Sequence, residues 1–254
     1  MFSFMIAGTA FLFIFVGVGV GWVIKRFLPA NQVPDSCKEI VKTAAGLMAT
    51  LVALVIGLLV SSAKSSYDMT NNGITQLGAK SIILDRMMMR MGPDAQPLRV
   101  AMVHALEGAM EKIWPSQLGK APDMEAIEKD KDGGEVYERI MALEPKNDVQ
   151  KHFKEQAVKV MGEILQSRWH IIEQNQNILP PMLIAMLILW LTILYLFFSM
   201  LAPHNGIAMF SLAFSALSVS TALFIILELN RPFQGVVRVS KAPLEKALQI
   251  MKRN

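Results

Sequence analysis

Cysteine is almost absent from this 254-residue sequence, and the motifs of common catalytic sites are missing altogether. Cys37 is the only cysteine, so the chain has no intramolecular disulfide framework and no cysteine-based metal site of its own. The sequence also lacks a phosphate-binding loop, a nucleophile elbow and a zinc-protease motif. No metal-ligand spacing occurs among the four histidines, which are His104, His152, His170 and His204. We therefore expect no enzyme activity, no metal and no cofactor, while an intermolecular disulfide through Cys37 stays open.

Charge is missing from long parts of the chain. No Asp, Glu, Lys or Arg occurs between residues 174 and 227, and 53% of all residues are hydrophobic. A soluble domain needs charged side chains over most of its surface, so this composition indicates an integral membrane protein whose main partner is the lipid bilayer. The formal net charge of +4 does not indicate a nucleic-acid partner, because no basic stripe with interleaved aromatic residues is present.

Four uncharged apolar runs are long enough to cross a bilayer as helices, since about 20 helical residues span its ~30 Å hydrocarbon core. They are residues 5–24, 43–63, 182–201 and 207–227. Basic residues follow the first run instead of preceding it, which favours a retained membrane helix over a cleaved signal peptide. Pro180 and Pro181 suit the start of the third helix. The short link to the fourth, residues 202–206, predicts an antiparallel hairpin.

Residues 65–178 have the pattern of helices in water and separate the second run from the third. Gly92 and Pro93 predict a helix end, and Asp94 and Asn147 predict the N-caps of two further helices. The segment 129–134, KDKDGG, predicts an exposed and mobile turn. The sequence thus predicts an all-α membrane protein in four parts. These are a first transmembrane pair (1–64), a helical insertion (65–178), a transmembrane hairpin (179–229) and a basic tail (230–254).

Three charged residues of the insertion, Asp85, Arg86 and Arg99, lie on predicted helices. A structural ion pair is the expected role of such residues. At the other end of the membrane segments, Glu228 closes the fourth run, where its carboxylate is expected to reach the lipid headgroups.

The flanking basic residues predict the orientation of the chain. Four spans place both termini and the insertion on one side of the membrane, and the side with more Lys and Arg is normally cytoplasmic. The insertion side carries Lys64 together with Arg231, Arg238, Lys241, Lys246, Lys252 and Arg253. The opposite side carries Lys25, Arg26, Lys38 and Lys42. This count favours cytoplasmic termini and a cytoplasmic insertion.

The second run has one face of small residues, which has two interpretations. On a helical wheel this face consists of Gly46, Thr50, Ala53, Gly57 and Ser61, with Leu54 and Leu58 on the adjoining face. A small face gains nothing from lipid, so it should meet either another helix at close range or water. The GxxxG pair Gly17 and Gly21 of the first run is the expected partner if the face serves packing. The other interpretation is the wall of a pore.

Three stretches resemble the bestrophin-like family of bacterial membrane proteins. They are LVIGLLVSSAKSSYD, LDRMMMRMGPDAQPLR and LELNRPFQGVVRVSKAPL, which together extend over nearly the whole chain. These proteins are in turn similar to bestrophins, which are pentameric anion channels with four spans per subunit and cytoplasmic termini. The resemblance implies a ring-shaped homo-oligomer, a pentamer, in the bacterial inner membrane, with inorganic anions such as chloride as the conducted species.

The resemblance also implies roles for individual residues. Residues 56–58 resemble the bestrophin pore-helix segment, which places an apolar pore neck at Thr50, Leu54 and Leu58, with Ser61 also on the pore wall. Lys42 and Lys64 then stand at the two pore mouths, where positive charge would favour anions. The turn after the last span comprises Glu228, Arg231, Pro232 and Phe233 and resembles the bestrophin proline-phenylalanine turn. Residues 234–237, QGVV, have no carboxylate, so calcium binding at this turn is not expected.

The sequence leaves two functions open. The first is an oligomeric, anion-conducting channel with its pore lined by the second transmembrane helix. The second is a non-conducting membrane scaffold or sensor whose helical insertion binds a partner protein. A small-residue face serves tight packing and pore lining equally well, so the placement of the second helix distinguishes the two.

Overall fold

The computed structural model describes residues 2–27, 34–115, 122–129, 132–176, 179–203 and 205–253. Within these ranges the chain forms a series of α-helices. They are α1 (Phe2–Phe27), α2 (Asp35–Arg90), α3 (Gln96–Ile113), α4 (Met124–Glu128), α5 (Asp132–Ala142), α6 (Asp148–Gln176), α7 (Pro181–Leu201), α8 (Gly206–Leu229) and α9 (Ala242–Arg253). The chain divides into two compact units. We call residues 1–65 with 178–230 the membrane unit, and residues 66–177 with 231–254 the insertion unit.

Helices α1, α2, α7 and α8 are long and apolar enough to cross a membrane, and each contains one of the four predicted runs. Helix α2 is longer than the sequence pattern suggested. It continues for 56 residues, so the second membrane run and the first helix of the insertion are a single helix. The physical reason is that the junction, residues 62–68, contains neither Gly nor Pro to interrupt the backbone hydrogen bonds.

Helices α1 and α7 pack closely at two glycines. A Cβ atom added to Gly17 would lie 2.5 Å from the Thr192 carbonyl oxygen, and one added to Gly21 would lie 2.5 Å from that of Leu196. Near Gly21, Ser199 Oγ donates a hydrogen bond of 2.7 Å to the Val18 carbonyl. The predicted close approach of the GxxxG pair is therefore present, but the predicted partner is wrong, because the glycines pack on α7 and not on the small face of α2.

The order of these contacts shows that α1 and α7 run in the same direction, as the first and third of four consecutive spans must. At their shared end, Lys25 Nζ donates to the Ala202 carbonyl. Pro180 and Pro181 open α7 as predicted, and Asn205 caps α8 by accepting a 2.8 Å hydrogen bond from the Ala208 amide. Helices α7 and α8 are joined across the hairpin by a 3.1 Å hydrogen bond from Tyr195 Oη to Ser215 Oγ.

The insertion unit has its own apolar core, built from α2 beyond the membrane run and from α3, α4, α5, α6 and α9. Asn147 caps α6 as predicted, since its Oδ1 accepts a 2.8 Å hydrogen bond from the Gln150 amide. The predicted cap at Asp94 is wrong. A short 3₁₀ turn, Pro93–Ala95, precedes α3, and Asp94 instead forms an ion pair with Lys146 at 2.5 Å.

The predicted turn at 129–134 is wrong in its second half. Gly133 and Gly134 lie inside α5, which begins at Asp132, while Lys129 is an exposed turn residue and residues 130 and 131 lie outside the described ranges. A Cβ at Gly133 would lie 3.1 Å from side-chain atoms of Leu165 and Arg168. Gly133 thus lies where α5 packs closely on side chains of α6, and not in a turn.

The expected structural ion pair forms between Asp85 and Arg99. Arg99 Nε donates to Asp85 Oδ1 at 2.7 Å, and Arg99 Nη2 donates to Oδ2 at 3.1 Å, which is a bidentate arrangement. Arg99 Nη1 donates to Gln96 Oε1 at 3.0 Å. The Asp85 side chain is 1% exposed and that of Arg99 is 8% exposed, so this pair joins α2 to α3 inside the apolar core.

Candidate functional site

One face of α2 holds this helix against the rest of the membrane unit. Ala45, Val52, Leu59 and Ala63 are buried, and their spacing of seven, seven and four residues places them on the same side of the helix. Val52, Leu59 and Ala63 belong to one apolar cluster with residues of α1, α7 and α8. The side chains of this face are aliphatic. It is not the face of small residues identified from the sequence.

The small face lies on the opposite side of α2. At about 100° per residue, Thr50 and Leu54 are each roughly 160° from Val52, and Ser61 is roughly 180° from it. Leu54 is 61% exposed and Leu58 is 62% exposed. An ideal Cβ atom at Gly46 or Gly57 would meet no heavy atom within 4 Å. Within the described part of one chain, this face of α2 is covered by no other helix.

The exposed face presents no charge along the membrane run. Thr50 Oγ1 donates a 3.0 Å hydrogen bond to the Gly46 carbonyl one turn earlier, so its hydroxyl proton is satisfied by the helix itself. Thr50 then offers a methyl group and an oxygen acceptor to its surroundings. The surface formed by Thr50, Leu54, Leu58 and Ser61, which we call the α2 outer face, is therefore mainly apolar.

Two exposed lysines mark the ends of the α2 outer face. Lys42 and Lys64 are separated by 22 residues, which is about 33 Å along a helix and close to the thickness of the bilayer hydrocarbon. On the wheel Lys64 lies beside Gly46 and Gly57, and Lys42 lies beside Ala53. Each end of the face thus has one positive charge at its edge.

The turn after α8 is organised by backbone hydrogen bonds within the insertion unit. The Gln234 amide donates to the Arg231 carbonyl at 3.0 Å, and the Val239 amide donates to the Pro232 carbonyl at 2.7 Å. Gly235 has φ +88°, a left-handed conformation that L side chains rarely adopt. Arg238 Nε donates to the Gly235 carbonyl at 2.6 Å.

Phe233 anchors this turn in an apolar environment, as predicted. Its side chain is 3% exposed, and its ring lies 5.7 Å from the Trp114 ring in an edge-to-face arrangement. Trp114 Nε1 also donates to the Val239 carbonyl at 3.1 Å. Sequence reasoning missed Trp114, because nothing in its local pattern connects the end of α3 to a turn more than a hundred residues later.

Glu228 differs from its prediction. The residue is 3% exposed at the end of α8, so protein encloses its side chain, which is not open to lipid headgroups.

Beyond the turn, α9 is tied to α3 by an ion pair between Lys252 and Glu107. The hydrogen bond from Lys252 holds the pKa of the Glu107 carboxyl below its usual value of 4.5. Because this pKa is lowered in the folded protein, the pair stabilises the fold above that value, and the stabilisation is lost as the pH falls through the lowered pKa.

We expect Gly235→Ala to lower the free energy of unfolding by about 1–2 kcal/mol, because a Cβ is strained in the left-handed conformation. Gly134→Ala is the matched control. Gly134 lies inside α5, and a Cβ there would meet nothing within 4 Å, so this change should be neutral or stabilising. Thermal unfolding followed by tryptophan fluorescence compares the two variants. Equal melting temperatures would show that the turn does not constrain the tail.

A family model for the bestrophin-like domain matches residues 11–244. Two crystal structures of a bacterial bestrophin homolog from Klebsiella pneumoniae, each with a single mutation, share the fold. The first has a TM-score of 0.67 at 12% identity and covers 96% of this chain and 98% of that chain. The second has a TM-score of 0.66 at 10% identity and covers 100% of this chain and 98% of that one. No curated protein matches the sequence. Because the family model extends over most of the sequence and the four apolar helices are those of a multi-pass membrane protein, the chain belongs to the bestrophin-like family.

Proposed function

We propose that the protein is a ring-shaped, oligomeric ion channel in which α2 lines the pore. The observation that carries the proposal is the α2 outer face. This face stays uncovered within the described part of the chain, although α1 and α7 have already used their own small residues to pack together. Thr50 and Ser61 of this face, with the neighbouring Gly46, Ala53 and Gly57, gain little from contact with lipid tails, so this side of α2 is better placed towards other subunits around a water-filled axis.

Repetition of α2 around an axis explains the order of its residues. Thr50, Leu54 and Leu58 follow one another at four-residue intervals, so each contributes one ring, and the two leucine rings form an apolar neck. Such a neck coordinates no ion and limits conduction through the cost of wetting it. The family resemblance supports five subunits and α2 as the pore helix.

Lys42 and Lys64 support selectivity for anions such as chloride. Around a ring, each lysine becomes a circle of positive charge at one mouth and raises the local concentration of anions. The Debye length is about 8 Å at physiological ionic strength, so the effect is confined to the mouths. We place the protein in the bacterial inner membrane, with both termini and the insertion unit in the cytoplasm, because Lys64 and the basic tail lie on that side.

Reconstitution of the purified protein tests conduction and selectivity together. Liposomes with a halide-sensitive dye should show protein-dependent chloride entry, and Lys64→Glu should shift the reversal potential in planar bilayers toward that of cations. Lys151→Glu is the control, since Lys151 is an exposed residue of α6 in the insertion unit. No flux from a protein that retains its oligomeric state would contradict the channel and favour the scaffold or sensor. An equal shift in the Lys151→Glu variant would exclude a role of Lys64 at the pore mouth.

Thiol labelling tests the orientation. Cys37 is exposed in the first turn of α2, and Lys129 is exposed between α4 and α5. A membrane-impermeant maleimide added to intact cells should label Cys37 in the native chain and should not label Lys129→Cys in a Cys37→Ser background. Gly133 is a poor position for this probe, because a side chain there would contact Leu165. The reverse labelling pattern would invert the topology.

A further inference from the structure

The insertion unit contains a partly open cavity of about 100 Å³. It lies among α2, α3, α4, α5 and α6, and its wall is formed mainly by Leu, Ile and Met side chains, including Leu77, Met102, Leu106, Met161 and Ile171. The cavity belongs entirely to the insertion unit, and its wall includes no residue of the α2 outer face.

The two polar side chains in the wall, Ser81 and Arg168, each donate a hydrogen bond to a backbone carbonyl. Ser81 Oγ donates a 2.8 Å hydrogen bond to the Leu77 carbonyl. The Arg168 guanidinium donates to the Ile127 carbonyl. A water held firmly in such a site needs two to four polar partners. The mainly apolar wall therefore favours an apolar ligand over a polar or charged one.

Small residues keep this space open. Ala105 and Ala109 are one turn apart on α3 and both line the cavity, and Gly133 of α5 lines it from another side. A larger side chain at Ala105 or Ala109 would fill the space with apolar atoms. An unfilled void forfeits dispersion contacts along its whole wall, so a molecule of matching shape gains them on binding.

We propose that this cavity is a binding site for a small, uncharged, apolar molecule, of the size of a benzene ring or a short alkyl chain. An apolar cavity of about 150 Å³ in another protein binds benzene, so a volume of this order is sufficient for a compact ring. The proposal is independent of ion conduction, because it concerns only the residues of the insertion unit.

Methionine methyl groups provide a local reporter for the test. Met102 and Met161 line the cavity, whereas Met251 is buried in α9 and is not part of the cavity wall. In protein with 13C-labelled methionine methyl groups in nanodiscs, benzene should cause saturable shifts at Met102 and Met161 and none at Met251. Shifts that rise without saturation, or that are equal at Met251, would show a non-specific effect of benzene and overturn the proposal.

Filling the cavity separates binding from a general effect of benzene. Ala105→Leu should weaken binding at least about tenfold, and Ala109→Leu serves if the first variant does not fold. Ala101→Leu is the matched control, with the same substitution one turn away on α3 and outside the cavity, and it should bind as the parent does. Unchanged affinity in the filled variants would overturn the site. If benzoate binds more tightly than benzene, the ligand is an anion held near Arg168. The proposed class of neutral, apolar ligands would then be wrong.

Discussion

Replacement of both Leu54 and Leu58 by alanine is expected to raise halide flux through the reconstituted protein. The two leucines form consecutive rings of the proposed neck, and their removal widens it and makes it less costly to wet. We expect a rise of at least about tenfold, which corresponds to a fall of only ~1.4 kcal/mol in the barrier. The measurement is the initial rate of halide entry into proteoliposomes at matched protein density.

The matched control changes two leucines on other helices whose side chains are exposed to a similar extent. Leu12 of α1 is 61% exposed and Leu189 of α7 is 56% exposed, against 61% for Leu54 and 62% for Leu58. Leu12→Ala with Leu189→Ala should leave the flux unchanged, because these side chains lie on helices outside the proposed pore wall. A rise of the same size in this control would point to general leakiness of the protein in place of a neck.

A packing role for the α2 outer face predicts a different result. If Leu54 and Leu58 are buried between subunits without a pore, each alanine change leaves a cavity and costs about 2–5 kcal/mol, by analogy with the cores of soluble proteins. The double variant would then lose its oligomeric state on size-exclusion chromatography and would not conduct. That outcome, together with a parent protein that conducts no ions, would reject the channel and support the scaffold.

Breaking the buried ion pair between Asp85 and Arg99 is expected to give the largest loss of stability. Asp85→Ala leaves the Arg99 guanidinium buried, 8% exposed, with its hydrogen bond to Gln96 but without a carboxylate. Removal of one member of a buried pair typically costs about 3–5 kcal/mol, because the remaining charge is neither paired nor hydrated. Thermal and denaturant unfolding of the purified protein measures this loss.

An exposed pair provides the matched control. Glu135 and Arg139 form an ion pair one turn apart on α5, with side chains 58% and 53% exposed. Glu135→Ala should cost less than about 1 kcal/mol, because both charges stay hydrated. The combined variant Asp85→Leu with Arg99→Met should recover much of the loss, since no isolated charge remains at this point of the core. Equal losses for Asp85→Ala and Glu135→Ala would show that water reaches the pair.

The sequence alone determined the features that depend on local chemistry. Four uncharged runs predicted four membrane helices, because the backbone must satisfy its own hydrogen bonds in lipid and only a long apolar helix does so in one segment. Asn147 was identified as a helix cap from the type and position of its side chain. A structural ion pair was the expected role of Asp85, Arg86 and Arg99, and the structure then identified Asp85 and Arg99 as the partners.

Only the tertiary structure decided which apolar residues face one another. Val52 and Leu54 have similar hydropathy, yet Val52 is 3% exposed and Leu54 is 61% exposed. Lipid is as apolar as a protein core, so no hydropathy pattern distinguishes the buried face of a membrane helix from its outer face. For the same reason the small residues of α1 and α2 looked like partners, whereas Gly17 and Gly21 pack against carbonyl groups of α7. Two helix backbones approach closely only where their surfaces are complementary in shape. The residues that form these surfaces are far apart in the chain, so their match is determined only in the folded protein.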